Sequence, residues 1–125
     1  MMEYTMKYYL ESHEWIELNG DVATVGISVH AAEELGDVTF VELPEVDADV
    51  NAGDSVSVVE SVKAASDIYS PVGGTISEVN EDLEDEPEKI NEDAHGKGWI
   101  FKVSGVNASA VEKLMTEEQY AAFLK

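Results

Sequence analysis

Hydrophobic and polar positions alternate along most of this chain with the two-residue period of half-buried β-strands. Residues 7–18 carry Tyr8, Tyr9, Leu10, Trp15, Ile16 and Leu18; Asn19-Gly20 follows, then Asp21-Val22-Ala23-Thr24-Val25. Asn-Gly between two such runs signals a hairpin, because a type I′ turn needs positive φ at both central residues. Residues 14–18 and 21–27 are therefore expected to pair antiparallel. Residues 38–43 read as another strand, with Val38, Phe40 and Leu43 inward, Thr39 and Glu42 more polar, and Pro44 as its end. Val56, Val58, Val59 and Val62 precede Lys63, and Ile68, Val72 and Ile76 follow it. β-Branched residues at this density predict strands on both sides of a tight reversal at Lys63. Residues 67–70 form the returning strand, Pro71 and Gly73-Gly74 break it, and residues 75–79 and 99–103 supply the last two.

Three short helices fit between and after these strands. Ser28 can cap a helix over Val29–Leu35, with Gly36 as its stop. Ser109 with Glu112, and Thr116 with Gln119, have capping-box spacing, and Met115 and Tyr120 are placed as a hydrophobic staple. Residues 117–124 present Tyr120, Phe123 and Leu124 on one side, as a terminal helix covering an open side of the sheets would. Residues 80–98 are the longest irregular stretch, of the kind that is functional or mobile in a small domain. Leu83 and Ile90 are expected to pin it to the body and Pro87 to stiffen it. The sum is one domain over 1–125, mostly antiparallel β with short peripheral helices, built as a sandwich or compressed barrel.

Charge narrows the function. The 125 residues include 27 acids and 7 basic residues, all lysine, for a net charge of −20. Such a surface repels phosphate backbones and anionic membranes, and no basic patch offsets it, so no nucleic-acid or membrane partner is expected. Protein partners should present basic faces. There is no run of about eighteen apolar residues to span a membrane. The N-terminal Met-Met-Glu-Tyr-Thr-Met-Lys lacks both a signal-peptide core and an arginine-rich transit segment. A cytoplasmic location is the default, or the mitochondrial matrix if a leader was removed. The chain has no cysteine, which excludes disulfides, thiol nucleophiles and thiolate metal sites. Three widely spaced histidines do not make a metal site. The eight acids between Glu81 and Asp93 lack the alternating spacing, central glycine and terminal glutamate of an EF-hand loop.

Lys63 stands apart from the other lysines because its neighbours are Val62, Ala64 and Ala65 in a strand-like region. A lysine at such a tip projects a nucleophilic amine that another enzyme can reach and acylate; by spacing alone a lysine there is more often just a solvated turn residue. Glu60-Ser61-Val62-Lys63-Ala64, followed by Ser66-Asp67, Pro71 and Gly73-Gly74, resembles the lipoyl-lysine hairpin of glycine cleavage system H proteins. Collinear similarity runs along most of the chain. It includes Ser12-His13-Glu14-Trp15, residues 21–27, Leu35-Gly36-Asp37, residues 40–44, Pro71-Val72, Glu78-Val79-Asn80, residues 90–93 and Gly98-Trp99.

The resemblance implies a mainly β fold, a lipoyl/biotinyl-type β sandwich (barrel-sandwich hybrid) with short peripheral helices and a C-terminal helix. It implies a monomeric, non-catalytic carrier with lipoic acid in amide linkage to Lys63. In that family the arm takes the aminomethyl group of glycine from a pyridoxal-phosphate glycine decarboxylase (P protein). The unit passes to tetrahydrofolate on an aminomethyltransferase (T protein), and a dihydrolipoyl dehydrogenase (L protein) reoxidises the arm. A lipoate ligase, or a lipoyl/octanoyl transferase, attaches it. Ser12, Glu14 and Asp67 match the polar positions that hold the loaded arm's amine in a surface cleft. Two positions depart from the family pattern: Ala94-His95 stands where Pro-Tyr is usual, and Gly73 where serine is common. Biotin carriers, with methionine on both sides of the lysine, and the lipoyl domains of 2-oxo acid dehydrogenases fit less well. A lipoate-relay protein and an unmodified acidic interaction module remain as alternatives.

Overall fold

The computed structural model describes residues 6–124; residues 1–5, which hold most of the N-terminal stretch read above, and Lys125 lie outside the described residues. Two open antiparallel sheets pack face to face. The larger contains β1 (Met6–Tyr9), β2 (Glu14–Asn19), β3 (Val22–Ile27), β5 (Asp49–Val50), β8 (Gly74–Val79), β9 (Phe101–Ser104) and β10 (Met115–Thr116), in the order β10-β1-β2-β3-β9-β8-β5. The smaller is β4 (Val38–Glu42), β6 (Ser55–Ser61) and β7 (Ala65–Tyr69), in that order. Among the described residues the fold is a sandwich with no closed barrel.

Alternation places the core. Ile16, Val25, Ile76, Phe101 and Val103 from the larger sheet meet Val41, Val59 and Ile68 from the smaller, all buried. Each such side chain stabilises the fold by roughly 1.5–3 kcal/mol through burial alone. The expected helix forms as α1 (Val29–Leu35), with the Ser28 hydroxyl accepting from the Ala31 amide and Gly36 at φ 74° ending it. The long acidic segment is not structureless. It contains two single turns, α2 (Asp82–Asp85) and α3 (Lys89–Glu92), and Leu83 and Ile90 are fully buried beneath them.

Three local expectations need correction. Asn19 pairs with Val22, so the first hairpin's loop is Gly20-Asp21 rather than Asn19-Gly20. Only Gly20 has positive φ there, at 65°, the pattern of a type II′ turn instead of type I′. In β4 a bulge between Val38 and Phe40 resets the alternation, so Val41 is buried and Phe40 is half exposed. Near the C-terminus a 3-10 helix spans Ala108–Lys113, and Asn107, not Ser109, caps it by accepting from the Ser109 amide. The second capping box does form: Thr116 and Gln119 bond reciprocally at the start of α4 (Glu117–Phe123).

A smaller aromatic cluster lies on the other face of the larger sheet. Tyr9, Trp15 and Tyr120 are buried together, with Met115 and Trp99 against them. The Trp15 indole N–H donates to Ala94 O at 3.0 Å. Its ring covers Gly26, where an added Cβ would sit 2.7 Å from the indole. The indole Nε1 that makes this bond is itself 2.9 Å from the added Cβ, so the ring cannot move aside without straining its bond to Ala94 O. We expect Gly26→Ala to cost about 1–3 kcal/mol in urea unfolding; an unchanged midpoint would show that Trp15 is free to move.

Candidate functional site

The strands of the small sheet present Lys63 at the tip of the β6–β7 hairpin. Ser61 shapes the tip: its amide donates to Ala64 O at 2.8 Å, and its hydroxyl accepts from the amides of Lys63 and Ala64 at 3.2 Å each. The tip is also braced from outside. Val62 N–H donates to Asp37 O at 3.1 Å. Asn91 grips the residues on either side of Asp37, donating from Nδ2 to Gly36 O at 2.8 Å and accepting at Oδ1 from Val38 N–H at 2.9 Å. Lys63 is exposed, and its stem runs over Gly36, where an added Cβ would lie 3.4 Å from Lys63 Cε. The amine therefore starts from a fixed base, above the residue that follows Leu35.

Leu35 belongs to the wall of a cleft of roughly 210 Å³ between α1 and the sheets. Ala31, Glu34 and Leu35 line it from α1, Ser12 and His13 from the turn before β2, Ile27 from β3, and Ser66 and Ile68 from β7. Behind Ser12 lies Glu14, 1% exposed. Glu14 shares its strand face with Ile16, so its carboxylate points between the sheets. Oε1 accepts from Ser12 Oγ at 2.5 Å and Oε2 from Tyr69 N–H at 2.7 Å. The second bond crosses from β2 to the edge strand of the other sheet. Burial pushes the Glu14 pKa up, and these hydrogen bonds oppose the rise.

His13, at φ 77°, places its imidazole 4.8 Å from that of His30, whose Nε2 is 2.9 Å from Glu34 Oε1. Burial and then the neighbouring His30 push the His13 pKa down, against the pull of Glu34. The structure thus brings Ser12 and Glu14 together, with their neighbours His13 and Glu34. Asp67 sits apart from them. Ser66 and Ile68 face the cleft, so alternation turns Asp67 to the opposite face of β7, where Oδ1 accepts from Ser55 Oγ at 3.3 Å. Glu34 and the apolar lining were not singled out from the sequence. Their signal was the helical spacing of Ala31, Glu34 and Leu35, which shares one face.

Of the positions that depart from the family pattern, Ala94 and Gly73 are accommodated, while His95 leaves its Nε2 buried without a hydrogen-bond partner among the described residues. Ala94 is buried and receives the Trp15 bond. His95 packs against Tyr9 and Trp15, and burial followed by repulsion from Lys7 lowers its pKa. Gly73 keeps ordinary space, with an added Cβ 3.4 Å from Val50 O. Among the described residues no cluster of three or more His, Asp or Glu side chains could hold a metal ion, and no helix is long and apolar enough to cross a membrane.

The family profile described as glycine cleavage H-protein matches residues 7–125. A glycine cleavage system H protein of Vibrio cholerae is 55% identical over 125 residues, 99% of this chain and 98% of that protein. One from Acinetobacter baumannii is 53% identical over 116 residues, 93% of this chain and 94% of that protein. The crystal structure of a glycine cleavage system H protein from Mycobacterium marinum superposes with a TM-score of 0.84 at 39% identity, covering 96% of this chain and 97% of that one.

The buried carboxylate has a consequence for stability. Folding raises the Glu14 pKa, so the folded chain holds that proton more tightly than the unfolded chain does. The resulting contribution favours the fold below the unfolded carboxylate range and is lost as pH rises through the folded value. In Glu14→Gln, the side-chain carbonyl can still accept from Tyr69 N–H while its amide donates to Ser12 Oγ. We expect this variant to gain about 0.5–2 kcal/mol over the parent at neutral pH, with the gain vanishing towards about pH 4, where the parent is protonated. Urea titrations at several pH values check this; a pH-independent difference would show that desolvation of Glu14 is not its source.

Proposed function

The chain belongs to the glycine cleavage H-protein family, and from that premise we propose that Lys63 carries lipoate in amide linkage and that the cleft beside it receives the loaded arm. The coarse role follows from membership: a lipoyl carrier in glycine cleavage, without catalysis of its own. The observation that supports the finer reading is the path from Lys63 to Glu14. The lysine stem already lies over Gly36, at the rim of a cleft whose far wall ends in a buried carboxylate.

The residues present fit such a group. Ile27, Ala31, Leu35 and Ile68 offer apolar surface to a hydrocarbon arm, and Ser12 with Glu14 offers acceptors to a protonated amine at its end. Charge-assisted bonds of this kind are stronger than neutral ones, the more so away from water. Asp67 is included as a carboxylate on the same edge strand, reached across the rim and not from within the cleft. When attached, lipoate supplies a disulfide that accepts the aminomethyl unit left after glycine loses carbon dioxide. The protein supplies the tether, which keeps that unit at high local concentration for successive active sites, and the shelter, which keeps water from it. Partners in this reading are the glycine decarboxylase, the aminomethyltransferase, dihydrolipoyl dehydrogenase and a lipoate-attaching enzyme, meeting a monomeric carrier in the cytoplasm. The net charge of −20 favours basic faces on them. A lipoate relay would need no receptor for an amine, so the Ser12–Glu14 pair favours glycine cleavage.

Incubation with a lipoate ligase, lipoate and ATP should add one lipoyl mass, located on Lys63 and on no other lysine. Lys63→Ala should keep the parent's unfolding midpoint, because the side chain is exposed, and lose glycine-dependent carbon dioxide exchange with the decarboxylase to background. Absence of the added mass where a control carrier is modified, or retained exchange in the variant, would contradict the reading.

A further inference from the structure

Tyr120 is 5% exposed, yet it belongs to a helix of only seven residues, and residues 121–124 after it are exposed. Its ring stacks on Tyr9 with centroids 4.3 Å apart and planes within 2°. The stack and the neighbouring Phe123 and Met115 seat the helix through apolar surface, which a phenylalanine at this position would preserve. The hydroxyl does something that ring packing does not. It lies 2.6 Å from His13 Nδ1 and 2.8 Å from Ser28 Oγ.

One partner lines the cleft, and the other begins the helix that forms another of its walls. His13 lies between Ser12 and Glu14, and its positive φ is a conformation that a non-glycine residue holds only when its surroundings impose it. Ser28 caps α1, whose Ala31, Glu34 and Leu35 form that wall. A backbone bond from Ser28 N–H to His13 O at 2.8 Å joins the same two segments lower down. The hydroxyl closes a consistent chain of donors: Ala31 N–H to Ser28 Oγ, Ser28 O–H to Tyr120 Oη, and Tyr120 O–H to His13 Nδ1. In that chain His13 is neutral, accepts at Nδ1 and carries its proton on Nε2.

We propose that Tyr120 is a positioning residue for the docked arm: its hydroxyl ties the Ser12–Glu14 wall to α1 and so fixes the width and polar geometry of the cleft. The inference rests on the carrier reading above and adds to it that the C-terminal helix controls the cleft without touching the arm. A purely anchoring role for the hydroxyl predicts something different, namely that arm protection follows helix stability whatever the means of lowering it.

The first test uses the unmodified protein. In Tyr120→Phe, imidazole nitrogen shifts of His13 should lose the signature of an Nδ1 acceptor. Amide shifts should move in both walls, at residues 12–14 and 31–35; changes confined to α4 and Tyr9 would overturn the proposal. The second test uses lipoylated protein loaded with glycine and the decarboxylase, and follows release of ammonia from the arm. Tyr120→Phe should release several-fold faster than the parent with little change in unfolding midpoint. Phe123→Ala, which strips a half-exposed ring from the same helix, should release at the parent rate. Equal release by parent and Tyr120→Phe, or acceleration by both variants in proportion to lost stability, overturns the proposal while leaving the carrier reading intact. If the parent itself releases as fast as aminomethylated free lipoamide, there is no sheltered arm, and both readings fall. Should Tyr120→Phe fail to fold, Ser28→Ala and Ser28→Thr replace it: faster release in the first, rescued by the hydroxyl of the second, supports the tie, and parent-like release in both overturns it.

Discussion

A single buried carboxylate joins the two sheets of this protein. Glu14 leaves the core face of β2 and accepts the Tyr69 amide of β7, the edge strand of the opposite sheet. An unpaired edge amide and an uncompensated buried carboxylate are each costly alone. Here each satisfies the other, and the Ser12 hydroxyl takes the remaining oxygen. The arrangement is still less favourable than an uncharged one, as the raised Glu14 pKa records. A carboxylate whose ionisation is opposed by burial, set behind the Ser12 wall of the cleft beside Lys63, has the form of a stability–function trade-off. Its negative charge is poorly solvated and therefore suited to a cationic guest.

A similar compromise governs the hairpin. Lys63 stands exposed at a hairpin tip, and such a tip is where a chain frays most readily. The protein answers by bracing the tip through its backbone. Asp37 O accepts the Val62 amide, and Asn91 fixes the backbone on both sides of Asp37. The long acidic segment thereby acquires a structural role, since α3 carries Asn91, and buried Leu83 and Ile90 fasten α2 and α3 to the core. The side chain of Lys63 stays free while its base is held.

Much of this was legible in the sequence, for physical reasons that also mark where legibility stops. Strands declared themselves through β-branched alternation, and Ser28, Gly36 and Thr116 announced helix ends through local hydrogen bonding. Phe40 and Val41 were misread because a bulge is a backbone event that period-two counting cannot see. Asn107 displaced Ser109 as a cap because the 3-10 helix begins at Ala108, ahead of Ser109, and the Ser109 amide becomes one of the orphan donors that Asn107 Oδ1 accepts. Lys63 stood out by its apolar neighbours, and its lipoyl role, with Ser12 and Glu14, entered through the resemblance to H proteins. The lining of the cleft did not, since its walls gather residues 12, 13, 27, 31, 34, 35, 66 and 68 from separate elements. Asp67 shows the converse: its neighbours in sequence line the cleft, and the alternation of the strand turns it away.

The most direct measurement is a pair of amide spectra of the lipoylated chain, before and after glycine and the decarboxylase load the arm. A sheltered arm predicts that the Tyr69 amide, which reports on the Glu14 carboxylate, moves together with Ser12, Ser66 and Ile68. Changes confined to residues 61–65 around the attachment point would mean that the arm stays in solvent and that the cleft has another use.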